Sequence, residues 1–195
     1  MDNVLVVGGS GFIGSHLVEQ LLHKGYTVIV LSRKNSEVSF LRSLKVELRI
    51  GDLLDLDSLQ SGFCGIDTVF CLVNVKPSGK SQEQYLKELR LLHTDGTKNL
   101  LEACKVNKIK RLIYLSSVAA IGYKKNVDVY NELSEESPLD PYGKAKLDAE
   151  KIIRSNAGVM GIDAVILQPP GVFGERGLGA LAKIIYFTER GFVPI

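Results

Sequence analysis

Apolar and polar positions along this chain alternate between two rhythms. Val4, Leu5, Val6 and Val7 run without a polar break, which predicts a strand buried on both faces of a parallel sheet. Residues 12–22 then carry apolar side chains at helical intervals until Gly25 ends the pattern. Further strands are predicted at 27–31, 46–50, 67–73, 111–115 and 164–167. Between them the spacing predicts helices at 36–43, at 56–62 with Asp55 as its cap, over a long stretch 81–107, and at 142–156 behind Pro138 and Pro141. A last helix is predicted at 179–190. Gly96 interrupts the long helix, at a cost of about 1 kcal/mol against Ala unless close packing requires it. Strands alternating with helices predict an α/β fold, a doubly wound parallel sheet in strand order 3-2-1-4-5-6. No repeat, low-complexity tract or linker divides the chain, so residues 1–195 read as one domain.

Gly8, Gly11 and Gly14 stand at three-residue spacing between the first strand and the first helix. Gly8 permits a tight turn, Gly11 has no side chain to block a pyrophosphate, and Gly14 lets the helix pack closely on the strand. The free amides at the helix start, around Phe12, Ile13 and Gly14, favour phosphate together with the macrodipole. Strand, glycine turn and helix in this order predict a dinucleotide site in a Rossmann-type sheet.

Ligands of such sheets lie outside the carboxyl ends of the strands. The second strand runs out into Ser32-Arg33-Lys34. An acid there binds a ribose 2′-hydroxyl and a base accepts a 2′-phosphate. Ser32 stands at the place of the acid and Arg33 can pair with phosphate bidentately, which predicts NADP, with NAD as the alternative. A solvated basic turn is the other reading of Arg33 and Lys34. The third strand is followed by Gly51-Asp52-Leu53, where Asp52 either accepts from an adenine amino group or bonds neighbouring backbone amides. The fifth strand ends in Leu115-Ser116-Ser117, and Tyr142 and Lys146, four apart, share one face of a later helix. A lysine ammonium beside a phenol is expected to lower its pKa from about 10, so that Tyr142 can act as general acid or base on an alcohol or carbonyl. The Ser117 hydroxyl can hold the same oxygen.

Lys and Arg number 24 against 22 Asp and Glu, which makes nucleic acid an unexpected partner by bulk charge. Lys105, Lys108, Lys110 and Arg111 cluster in what reads as a solvated turn between helix and strand. Cys64, Cys71 and Cys104 show no metal spacing, which predicts no metal site and a reducing compartment, with Cys71 in the core. No apolar run approaches the ~18 residues of a membrane span. A strand begins at once, leaving no room for a signal peptide, so the expectation is a cytoplasmic protein without a membrane partner.

Taken as a set, these residues resemble the extended branch of the short-chain dehydrogenase/reductase superfamily, the epimerase/dehydratase type. The turn Gly8-Gly9-Ser10-Gly11-Phe12-Ile13-Gly14 looks like its cofactor motif, and Ser117 with Tyr142 and Lys146 like its catalytic set. Gly51-Asp52-Leu53, Gly96-Thr97-Lys98-Asn99-Leu100-Leu101 and Pro169-Pro170-Gly171-Val172-Phe173-Gly174 are similar to its other signatures. Residues 137–144, Ser-Pro-Leu-Asp-Pro-Tyr-Gly-Lys, look most like the dihydroflavonol reductase and 3β-hydroxysteroid dehydrogenase group. The resemblance implies that Tyr142 exchanges a proton with the substrate oxygen, that Lys146 binds the nicotinamide ribose and tunes Tyr142, and that Ser117 orients a small carbonyl. It adds Leu53 and Pro169 to the cofactor-binding set. A nucleotide-sugar epimerase or dehydratase shares the same trio, and a non-catalytic dinucleotide-binding fragment is a third reading.

Two positions depart from the family pattern. His93 stands where an auxiliary Asn is frequent, and Gln168 stands where Arg is usual. The extended branch normally continues beyond this length, with later residues completing the substrate pocket. The expectation is therefore a truncated substrate region, an open edge at the sixth strand, an apolar helix at 178–187 in need of cover, and association into a homodimer or larger species.

Overall fold

The computed structural model describes residues 2–75, 79–123, 125, 129–177 and 185–191. Six parallel strands lie in the order β3-β2-β1-β4-β5-β6, as the alternation of patterns predicts. They are β1 (Asn3–Val7), β2 (Thr27–Ser32), β3 (Glu47–Ile50), β4 (Thr68–Cys71), β5 (Arg111–Leu115) and β6 (Asp163–Leu167). The helices are α1 (Phe12–His23), α2 (Ser39–Ser43), α3 (Leu56–Gly62), α4 (Gln82–Arg90), α5 (Gly96–Val106) and α6 (Pro141–Asn156).

The unbroken apolar runs explain the two-sided burial. Val4, Val6, Val28 and Val30 face Val18, Leu21 and Leu41 of α1 and α2. Leu5, Val7, Ile29, Leu31, Val69, Leu112 and Tyr114 face a larger core shared with α3, α5 and α6. Strand order reverses between β1 and β4, and Val7 pairs with Leu31 on one side and Cys71 on the other. The crevice at that switch point is where the glycine turn emerges.

Four predicted elements differ by more than a terminal residue. The helix expected at 36–43 begins only at Ser39, because Ser36 N–H closes a turn onto the Arg33 carbonyl and the Glu37 carboxylate accepts from Ser39 N–H at 2.7 Å. The strand expected at 67–73 is cut to Thr68–Cys71, since β1 ends at Val7 and leaves Leu72 only one further bond to it. The long helix 81–107 is present but carries a π turn, Leu91–Asp95, immediately before Gly96. Half of the helix expected at 179–190, residues 179–184, lies outside the described residues, and residues 185–188 are helical.

Asp55 caps α3 as expected, its carboxylate accepting from Ser58 N–H. Ser81 and Gln84 close a reciprocal capping box on α4. Strand β6 forms the sheet edge: Ala164 and Ile166 pack on the core, while Val165 and Leu167 are 40% and 46% exposed. Cys71 and Cys104 are buried, and no group of three or more potential metal ligands occurs among the described residues. No described helix is long and apolar enough to cross a membrane.

Candidate active site

The glycine turn is made of main chain packed to contact. Gly8 adopts φ +89°, a conformation that side chains disfavour, and a Cβ there would stand 3.1 Å from the Leu72 carbonyl carbon. A Cβ on Gly14 would lie 2.2 Å from the Gly8 carbonyl oxygen, so only glycine lets α1 start this close to β1. A Cβ on Gly11 would meet only the Gly8 oxygen within 4 Å, leaving open space on its outer side. The N-cap of α1 is Gly11, with no side-chain cap and no acid in the first turn. The amides of Phe12, Ile13 and Gly14 thus belong to an uncapped helix start without a repelling charge, and the turn fits a pyrophosphate. The Phe12 ring is turned away and packs against Gly177.

At the outer end of the crevice, Arg33, Lys34, Asn35, Ile50, Gly51, Asp52, Asp55 and Ser58 line an open cavity of about 520 Å³. Arg33 and Lys34 are exposed, and neither side chain has an ion-pair partner among the described residues. Ser32, by contrast, is buried at the end of β2. Asp52 makes the local turn bond expected of it, accepting from Leu54 N–H at 3.0 Å, and it also walls the cavity. Leu53 packs in the core beside Gly96, its carbonyl accepts from the Asn99 amide at 2.9 Å, and it lines neither cavity. The Pro169 carbonyl is occupied by Val118 N–H at 3.1 Å. Asn35, Asp55 and Ser58 were not among the sequence-predicted site residues; nothing in their local pattern separates a cavity wall from a polar turn.

At the inner end, Ser117 caps a 3-10 turn, Val118–Ala120, its hydroxyl accepting from Ala119 N–H at 3.2 Å. Helix α6 starts against this turn because residue 143 is glycine: a Cβ there would lie 2.2 Å from the Ala119 carbonyl oxygen. Asp140 caps α6, accepting from Gly143 N–H at 2.6 Å, with Pro141 in its first turn. The Tyr142 ring packs with Val75, Tyr85 and Leu89. Lys146 is 2% exposed, and its ammonium donates to the Leu115 carbonyl at 2.9 Å and the Val73 carbonyl at 3.4 Å. Since Leu72 abuts Gly8, the ends of β4 and β5 bring the glycine turn, Lys146, Ser117 and Tyr142 into one crevice.

The electrostatics correct one expectation. Lys146 does not pull the Tyr142 phenol down; burial pushes it above its ordinary value, while the Ser117 and Asn74 side chains act in the other direction. The Lys146 ammonium sits 6.0 Å from the Tyr142 ring centroid, aimed at main-chain carbonyls. Burial lowers Lys146 itself to about 8, opposed by Cys71 and Glu150.

His93 lies in the π turn and is 1% exposed. Its Nδ1 meets the Tyr114 hydroxyl at 3.1 Å, and its Nε2 is the one buried side-chain polar atom without a hydrogen-bond partner among the described residues. Burial, then the charge of Lys146, lowers its pKa to about 3, so the imidazole is neutral. Beside the trio, Val118, Ala119, Ile121, Gly122, Tyr123, Tyr130, Leu139 and Asp140 line a mostly apolar cavity of about 410 Å³.

A model of the NAD dependent epimerase/dehydratase family matches residues 4–188. A protein of Homo sapiens named "Sterol-4-alpha-carboxylate 3-dehydrogenase, decarboxylating" is 31% identical over 191 residues, which are 95% of this chain and 48% of that protein. A protein of Escherichia coli O157:H7 named "N-acetyl-alpha-D-glucosaminyl-diphospho-ditrans,octacis-undecaprenol 4-epimerase" is 30% identical over 186 residues, 94% of this chain and 53% of its own length. Among solved structures, UDP-glucose 4-epimerase from Brucella ovis in complex with NAD has a TM-score of 0.76 at 32% identity, covering 86% of this chain and 51% of that one. The chain spans about half the length of the curated relatives it matches.

Proposed function

The chain belongs to the NAD dependent epimerase/dehydratase family, and within it we propose that the crevice serves an NADP-dependent oxidoreductase acting on an apolar carbonyl or secondary alcohol. The observation that carries this reading is the convergence of Ser117, Tyr142 and Lys146 beside the glycine turn. The dinucleotide, when bound, supplies or accepts the hydride.

In the reducing direction the raised pKa of Tyr142 suits its task, because the phenol holds its proton until a carbonyl oxygen is ready to take it. The Ser117 hydroxyl donates to the same oxygen and fixes its place. Lys146 holds the ribose by its ammonium, and the Tyr142 phenolate left by the transfer regains its proton from solvent. In the oxidising direction the same proton leaves the alcohol for Tyr142. Arg33 and Lys34, without an ion-pair partner among the described residues, stand at the wall of the outer cavity and suit a 2′-phosphate. The apolar inner cavity suits a hydrocarbon ring system better than a charged nucleotide sugar: the one carboxylate among its described lining residues, Asp140, already caps α6.

The test is stopped-flow oxidation of NADPH with alicyclic and aromatic ketones, run beside UDP-hexoses. Ketone reduction should be seen, and Tyr142→Phe should cut it by roughly 10²–10⁴-fold while NADPH still binds. Interconversion of UDP-hexoses without net NADPH consumption would assign the crevice to epimerisation instead.

A further inference from the structure

Helix α6 holds a carboxylate that the proposed chemistry does not use. Glu150 is fully buried. Its Oε1 accepts from the Ser116 hydroxyl and from the Gln168 amide at 2.9 Å, and its Oε2 accepts from Arg154 at 2.6 Å. Ser116 and Gln168 are neutral, so the balancing charge in direct contact comes from Arg154, one helical turn along, with the Lys146 ammonium acting without a hydrogen bond. Arg154 is 46% exposed on its side chain and reaches the other way as well, donating through its second terminal nitrogen to Glu136. Glu136 also lies 3.5 Å from the Lys151 ammonium.

Glu136 immediately precedes the segment that walls the apolar cavity. Ser137 N–H donates to the Ile121 carbonyl at 2.6 Å, and the Ser137 carbonyl lies so close to Gly122 that a Cβ there would overlap it at 1.8 Å. Leu139 and Asp140 follow as cavity wall. At the other end, Ser116 is covalently next to Ser117. One guanidinium therefore spans two carboxylates, one fixing the strand end that carries the reactive serine and one fixing the wall of the pocket opposite it.

We propose that Arg154 is a positioning residue that ties the cavity wall at Glu136 to the Ser116–Ser117 strand end through Glu150. An exposed ion pair holds little by itself, because two long side chains must be immobilised to form it. Here the buried carboxylate has already immobilised the guanidinium, and its planar fork presents a second edge to Glu136 without further ordering. The tie itself depends only on these contacts; its consequence for turnover rests on the proposed oxidoreductase reading.

Three variants separate this role from simple charge balance. Glu136→Gln removes the outer arm and leaves the buried pair intact. Its melting temperature should stay close to wild type, while amide hydrogen exchange across 129–137 accelerates by about tenfold or more. Arg154→Ala should lose both stability and protection. Arg154→Ala combined with Gln168→Arg returns a positive charge to Glu150 from the strand side, so stability should recover while exchange across 129–137 stays fast. In a ketone assay the Glu136→Gln variant should raise KM with the NADPH affinity unchanged. Wild-type exchange in Glu136→Gln, or full recovery of protection in the double variant, would overturn the tie and leave Arg154 a counterion only. Fast exchange together with an absence of ketone turnover in the wild type would keep the tie and discard the oxidoreductase reading.

Discussion

The two ends of the crevice are built from different materials. The outer end, from Gly8 to Gly14, is main chain: amides, one carbonyl and a set of missing β-carbons. The inner end is side chain: a hydroxyl from the turn after β5, with a phenol and an ammonium from α6, held by buried charge and local turns. A site made of amides asks only that nothing be in the way, and its stringency falls on a few glycines. A site made of side chains asks that each group be aimed and kept in the right protonation state, and that stringency spreads into residues such as Gly143, Asp140 and Glu150 that never reach the ligand.

This contrast can be broken at either end, and the largest effect is expected at the main-chain end. Gly14→Ala forces a methyl against the Gly8 carbonyl. Overpacking of this kind costs typically 1–3 kcal/mol, and contact with rigid backbone puts it near the top of that range. Calorimetry should show a melting temperature lower by roughly 5–10 °C, and fluorescence titration should show dinucleotide binding lost. A stable, binding-competent Gly14→Ala would mean the turn is looser than its packing. Next comes Arg33→Ala, which tests whether side chains at the outer end add choice to a site whose affinity is main chain. NADPH should bind roughly 10- to 150-fold more weakly, as for one charge-assisted contact, with NADH nearly unchanged. Equal losses for both would remove Arg33 from the 2′-phosphate.

Protonation sharpens the contrast further, because burial shifts His93 and Lys146 at the inner end. His93 binds its proton near pH 3 in the folded state and near 6.5 when unfolded. Between these values the unfolded chain carries the extra proton, so stability falls as pH drops below 6.5. At pH 5 the loss is about 2 kcal/mol, on the scale of 1.36 kcal/mol per pKa unit. Urea unfolding at pH 7 and pH 5 should show it in the wild type and not in His93→Asn. The smallest effect on cofactor affinity belongs to Lys146, whose folded pKa is depressed to about 8 from 10.5. Above pH 8 the folded protein loses the ammonium while the unfolded chain keeps it, so stability rises from pH 8 to 10.5 even as the ribose contact weakens. NADPH affinity should fall by up to about tenfold from pH 8 to pH 9, and Lys146→Met should show no such limb.

The same division decides what the sequence reveals. Strand order, the helix caps at Asp55 and the glycine turn are legible because each rests on local pattern: unbroken apolar runs, an acid before a helix, glycines at fixed spacing. The trio was legible through its resemblance to a family, since a Tyr and a Lys four apart are otherwise common. Its electrostatics were not legible. The expectation that Lys146 lowers the Tyr142 pKa failed because burial of the phenol depends on Val75, Tyr85 and Leu89, which lie far from it in sequence. Gln168 could be seen as a departure, but the answering charge on Arg154 shows only when α6 and β6 are packed together.

The π turn at Leu91–Asp95 has a consequence for how this chain tolerates insertions and deletions. An α-helix turns about 100° per residue, and a π turn admits one residue more than an α turn. The helical rod from Gln82 to Val106 is thus two rods with different phases: Leu89 of α4 is set toward Val75 and Ala145 at the crevice, while Leu100, Leu101 and Cys104 of α5 are set toward the sheet. Deleting one residue within the turn would heal the hydrogen-bond ladder and restore a regular helix. Because the extra residue is taken up within the wider turn, the deletion would leave Leu89 and the α5 leucines on their present faces, and its cost would fall on the turn itself, where His93 would be turned off its Tyr114 partner. The irregularity lets a rod one residue longer than a regular helix keep both of its faces on their surfaces.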